Sequence, residues 1–152
     1  MVTNKLERFA DWPQDLPQIR AYFAEQSPQP LVAVEGSAHT IRFANAAFCR
    51  LAGTTSASLI GRAFEVAVPE VRGARRAAMF SRVLATGTSE ELLEQPRAST
   101  GSAGPVAESS WSYLVWAILG ADASAAPVGL MIQVTDATAA ADFRRTSVAL
   151  TA

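Results

Sequence analysis

Two late segments constrain this chain more than any other feature. Trp111 to Leu119 and Val128 to Thr135 are dense in β-branched and aromatic residues, and Gly120 to Pro127 between them is small and polar. Each run reads as a strand. Side chains alternate along a strand, so Trp111, Tyr113, Val115, Ala117 and Leu119 share one face, and Ser112, Leu114, Trp116 and Ile118 share the other. Both faces are largely apolar, and a sheet built on such strands needs cover on both sides. Helices elsewhere in the chain can cover one side. The other calls for the N-terminal helix or a second copy of the chain.

The remaining pattern supplies those pieces. Leu31 to Glu35 and Thr40 to Ala44 flank Gly36-Ser37-Ala38-His39, which predicts an antiparallel hairpin with Ile41 and Phe43 on its buried face. Asn45 follows as an N-cap, Ala46 to Ala52 form a short helix closed by Gly53, and Ser56 to Ile60, closed by Gly61, form another turn or two. Pro69 is expected to open a long helix that runs to about Thr86 and stops at Gly87. Its apolar stripe is Met79, Phe80, Val83 and Leu84. Arg72, Arg75, Arg76 and Arg82 sit off that stripe, and with Glu90, Glu91 and Glu94 nearby they read as a solvated mixed-charge surface. Thr88 to Gln95 is a further strand, and Pro96 to Ser109 a long mobile surface loop.

The two ends read as helices. Asp15 caps a short amphipathic helix with Pro17 in its first turn; Leu16, Ile19 and Phe23 form one stripe with Tyr22 beside it, and Ser27-Pro28-Gln29-Pro30 ends it. The tail from Asp136 to Ala152 favours helix, capped by Asp136 or Thr138. Phe143, Val148 and Leu150 make a stripe too thin to stand alone. The expected class is α+β: a five-stranded antiparallel sheet with helices on one face.

Composition excludes several functions. The chain has 152 residues, 49% of them hydrophobic, and a net charge of -1, which suits one domain with a real core. Thirteen basic residues against 14 acidic ones argue against nucleic-acid binding by phosphate neutralisation. The longest apolar run, Leu114 to Leu119, falls far short of the roughly 20 residues of a membrane span. Met1 to Ala10 is too polar for a secretory signal, and a single cysteine rules out an internal disulfide framework; a cytoplasmic location is expected. No phosphate loop, metal triad or nucleophile motif is present.

Several segments carry a family resemblance. Ile41-Arg42-Phe43-Ala44-Asn45-Ala46-Ala47-Phe48-Cys49-Arg50-Leu51-Ala52-Gly53 resembles the PAS-domain signature I-x-Y-x-N-x-A-F-x-x-L-x-G. Leu59-Ile60-Gly61-Arg62, Pro69-Glu70, Val83-Leu84-Ala85-Thr86-Gly87, Trp111, and Gly129 with Val134-Thr135-Asp136-Ala137-Thr138 follow in the family's order. The resemblance spans about residues 28 to 138. It implies residues 1–27 as an N-terminal helical cap, 28–138 as the PAS domain, and 139–152 as the start of a signalling helix.

Candidate sites follow from both readings. Phe43, Phe48, Leu51, Phe64, Met79, Val83, Tyr113 and Val115 enclose either a ligand cavity or, the preferred reading, a filled core. Asn45, Asp136 and Thr138 are capping and relay positions. Leu16, Ile19, Tyr22, Phe23, Leu114, Trp116 and Ile118 are the expected homodimer interface. His39 reads as an exposed turn residue and Cys49 as a small core residue. The haem-binding branch of the family carries a histidine on the long helix, and Pro69 to Gly87 has none. The cysteinyl-flavin branch has an Asn-Cys-Arg-Phe-Leu context further along, which Glu65 to Val71 lacks. Both cofactors are disfavoured, no metal or catalytic residue is assigned, and a ligand is left unknown.

The resemblance implies a non-catalytic sensory or interaction module of a bacterial signalling protein. It would bias a downstream output, such as a histidine kinase, through its C-terminal helix. The alternatives are a small enzyme or binder of the ketosteroid-isomerase-like cone type, or a purely structural dimerisation module.

Overall fold

The computed structural model describes residues 22–71, 73–97, 109–120, 126–141 and 143. The expectations for Leu16, Ile19, Arg72, Val148, Leu150 and the interior of the 96–109 loop lie outside these residues.

Five strands form one antiparallel sheet in the order β2-β1-β5-β4-β3. They are β1 (Leu31–Glu35), β2 (Thr40–Ala44), β3 (Glu90–Pro96), β4 (Ser110–Leu119) and β5 (Pro127–Asp136). Between β2 and β3 the chain makes α1 (Ala46–Ala52), α2 (Ser56–Leu59), α3 (Phe64–Ala67) and α4 (Gly73–Thr86), and α4 lies across β3, β4 and β5. The expected α+β architecture is present. The two runs with apolar faces, β4 and β5, pair with each other along almost their whole length at the middle of the sheet.

The hairpin departs from simple alternation. Pairing steps from Val34↔Ile41 to Ala33↔Phe43, which leaves Arg42 as an extra residue on β2. Such a bulge reverses the facing of everything beyond it. Ile41 and Ala44 therefore face the core, and Phe43, expected inside, is only half-buried and lies outside the core cluster.

The long helix begins later than Pro69. Glu70 instead forms an isolated antiparallel bridge with Arg97, and the Val71 amide donates to the Pro96 carbonyl, so residues 70–71 extend the sheet edge before α4 starts at Gly73. The sequence reading also passed over α3, whose four residues are too few to show a period. At the hairpin's end, Gly129 lies so close to β1 that a Cβ there would sit 2.2 Å from the Val34 carbonyl oxygen. Only glycine lets the two strands meet at that point.

The core lies between α3 and α4 and one face of the sheet. Phe48, Phe64, Met79, Phe80, Val83, Trp111, Tyr113, Val115, Leu130 and Ile132 are all essentially inaccessible. Its rings meet edge to face, Phe64 and Phe80 at 5.4 Å and Phe48 and Trp111 at 5.9 Å, geometries that add to plain area burial.

Candidate functional site

At the centre of this core sits a charge. Arg76, on α4, is 0% exposed. Its guanidinium carbon lies 4.8 Å from the Phe64 ring centroid, 5.5 Å from Tyr113 and 6.0 Å from Phe80. Nη1 donates to Glu70 Oε2 at 2.7 Å and to the Tyr113 hydroxyl at 3.1 Å, and Nη2 donates to the Val68 carbonyl at 2.5 Å. The Tyr113 hydroxyl in turn donates to the same Glu70 oxygen at 2.9 Å. Burial pushes the Tyr113 phenol well above its ordinary value, which the adjoining Arg76 only partly offsets.

This overturns the reading of Arg76 as part of a solvated mixed-charge surface. Its spacing held the signal: positions 76, 79, 80 and 83 form one helical stripe, and the charge alone argued against including Arg76. A buried charge needs a partner, and Glu70 supplies it from the segment that joins α3 to α4.

His39 is also corrected. It is 4% exposed, with φ +54° in the hairpin turn, and lies edge-on to Phe80 at 5.4 Å. Its Nδ1 is 2.5 Å from Glu65 Oε1. Burial pushes the Glu65 carboxyl up, but the hydrogen bonds from His39 and from its own backbone, with the charge of Arg76, outweigh it and hold it below the ordinary carboxylate range. His39 does lie in the hairpin turn expected from Gly36-Ser37-Ala38-His39, but its side chain folds inward and ties the hairpin to α3.

Asn45 caps α1 as expected, with Oδ1 accepting from the Phe48 amide at 2.9 Å. It does more besides. The same oxygen accepts from the Leu31 amide, and Nδ2 donates to the carbonyls of Ala24 and Gln29 at 2.9 Å. One fully buried side chain thus joins the helical residues 22–26, β1 and α1. The far end has a matching clasp. The Asp136 carboxylate accepts from the Thr138 amide and hydroxyl, and the Thr138 oxygen accepts from the Ser110 amide at 3.0 Å. The Ala137 amide donates to the Ser110 carbonyl at 2.8 Å.

Of the eight candidate pocket residues, Phe48, Phe64, Met79, Val83, Tyr113 and Val115 are brought together in the core, Leu51 packs at its margin, and Phe43 does not join it. On the outer face of the sheet, Trp116 is exposed with Leu114 and Ile118 half-buried, and Tyr22 and Phe23 are both about half exposed. Cys49 is half-buried against the core and also lines an open depression of about 620 Å³ with Glu25, Arg50, Thr54 and Thr55. Burial, then Glu25, raises its thiol pKa, so it is a poor nucleophile. Arg97, whose guanidinium carbon stacks 3.7 Å from the Trp111 ring centroid, was not singled out from sequence; burial lowers its pKa. Among the described residues no cluster of His, Cys, Asp or Glu could hold a metal, and no helix is long and apolar enough to cross a membrane.

A family model described as the PAS fold matches residues 24–142. The chain belongs to the PAS family, a family of sensory and signalling modules. Solved structures agree on the fold. The PAS domain of nitrogen regulation protein NR(II) from Vibrio parahaemolyticus superposes with TM-score 0.58 at 13% identity, covering 80% of this chain and 98% of that one. The PAS domain of BvgS from Bordetella pertussis gives TM-score 0.61 at 16% identity, covering 89% and 96%. An RNA-binding light-oxygen-voltage receptor gives TM-score 0.73 at 15% identity, covering 93% of this chain and 39% of that chain. No curated protein matches the sequence. The isomerase-like cone gives way to the PAS family.

Proposed function

We propose that the chain is a non-catalytic PAS module of a bacterial signalling protein, acting as a cytoplasmic homodimer and passing a partner-driven rearrangement of its sheet to an output domain, such as a histidine kinase, through the helix after Asp136. The observation that carries this is the pair of clasps. Asn45 ties the entering helix to β1 and α1, and Ser110 with Thr138 ties the leaving helix to β4. Movement of the sheet is therefore felt at both ends of the domain.

The filled interior favours a signal that arrives at the surface. Arg76, Glu70, Phe64, Phe80 and Tyr113 occupy the space between α4 and the sheet that a ligand cavity would need. The buried Glu70 carboxylate beside Tyr113 is ion-paired to Arg76 instead of standing free as a general acid or base.

Dimerisation rests on the apolar outer face at Leu114, Trp116 and Ile118 and on Tyr22 and Phe23. Light scattering with sedimentation tests it: the wild type is expected as a dimer and Trp116→Glu as a folded monomer. A wild type that stays monomeric at high concentration ends this part of the proposal.

A further inference from the structure

The open depression of about 620 Å³ lies well away from the filled interior, between the helical residues 22–26 and α1 with its turn into α2. Small residues, Ala44, Ala46 and Gly53, make it hollow. Gly53 closes α1 at φ +68°, and a Cβ built there would meet nothing within 4 Å. Opposite charges line the hollow: Glu25 from the entering helix and Arg50 from α1, both exposed. They form no ion pair with each other, and neither side chain makes a hydrogen bond or ion pair among the described residues. Arg50 stands in the last turn of α1, yet that end needs no side-chain cap. The Gly53 amide already donates to the Arg50 carbonyl, and the Thr54 amide to the Cys49 carbonyl at 3.0 Å. Local structure works against Glu25, because the C-terminal end of a helix disfavours a carboxylate. Its field reaches into the hollow, where it adds to burial in raising the Cys49 thiol pKa.

We propose that this hollow binds a small zwitterion, an α-amino acid with a compact side chain, whose ammonium group pairs with Glu25 and whose carboxylate pairs with Arg50. Each charge of such a ligand meets its opposite, and the small lining residues leave room for a hydrogen or a methyl group on its α-carbon. A bare acid or a bare amine satisfies one wall and leaves the other charge without a partner. The bound ligand joins the entering helix to α1 from outside, while the Asn45 side chain joins them from within through the Ala24 carbonyl and the Phe48 amide. Occupancy therefore holds the entering helix against the domain. Such a site gives the module a soluble input, independent of the partner-driven route proposed above.

The test titrates the wild type with glycine and alanine at low ionic strength and follows backbone amide chemical shifts. Acetate and methylammonium serve as the two half-ligands. Glycine should bind with a Kd on the order of 1 mM, moving amides in residues 22–26 and 46–56. Each half-ligand should bind about tenfold more weakly, since it forgoes one charge-assisted contact. Glu25→Gln and Arg50→Gln change exposed side chains, so both should fold, and each should weaken glycine by a similar factor. Glu25→Arg combined with Arg50→Glu should restore binding, because glycine can then lie in the opposite sense. Arg75→Gln, an exposed change on α4, should leave the affinity unchanged. A wild type without saturable glycine binding, a half-ligand that binds as tightly as glycine, or full affinity in either single variant would each overturn the proposal. None of these outcomes touches the homodimer reading, which light scattering decides.

Discussion

Two arginines on one helix, six residues apart in sequence, hold glutamates at nearly the same distance and do different work. Arg76 meets Glu70 at 2.7 Å with both side chains 0% exposed, and Arg82 meets Glu90 at 2.9 Å with 57% and 31% exposed. Water around the second pair already solvates both ions, so its removal changes little. The first pair has been taken out of water altogether, and either partner left alone is an uncompensated buried charge. Burial, not pairing, sets what an ion pair is worth.

The largest effect should come from breaking the buried pair on one side only. Arg76→Met should cost about 3–5 kcal/mol, read by urea unfolding, because Glu70 is stranded. Replacing both partners, Arg76→Met with Glu70→Leu, should recover most of that loss; failure to recover would mean that the hydrogen bonds to Val68 and Tyr113 carry the stability instead. Next is Asn45→Ala, which removes a helix cap and orphans the Leu31 amide, at roughly 2–4 kcal/mol. That cost would place the entry clasp close to the ionic centre in importance.

The pH profile separates two titrating groups, the half-buried Glu65 and the buried Tyr113. Glu65 has its folded pKa depressed, chiefly through His39 once burial is overcome. Its contribution is complete at neutral pH and is lost as pH falls below the ordinary glutamate value of about 4.3 and through the lower folded one. Tyr113 has its folded pKa raised by burial, so its contribution holds below the ordinary tyrosine value of about 10 and is lost as pH rises beyond it. Unfolding free energy measured from pH 3 to 11 should fall at both ends, and Glu65→Gln should flatten the acid limb. The smallest effect belongs to Arg82→Ala, whose urea unfolding curve is expected to overlay that of the wild type because water already solvates the pair; a cost near that of Arg76→Met would erase the contrast.

Much of this was legible before the structure. The hairpin, Asn45 as a cap, α1 and α2, the strand pair at residues 111–119 and 128–135, and the Asp136-Thr138 turn follow from local signals: alternation, caps and turn residues. Those signals act within a few residues, so a sequence displays them directly. The misreadings share a different origin. Phe43 left the core because one bulge at Arg42 reversed its side of the strand, and Pro69-Glu70 was drawn to the sheet edge by Arg97 instead of starting α4. His39 turned inward to Glu65, 26 residues away.

The sequence by itself determined that this chain builds an antiparallel sheet with helices over it, because periodicity and capping are local properties of residue type. Only the tertiary structure decided that an arginine on the apolar stripe of α4 belongs inside. The partners that make that burial tolerable, Glu70 and Tyr113, lie six and 37 residues away, and only folding brings them to the same place.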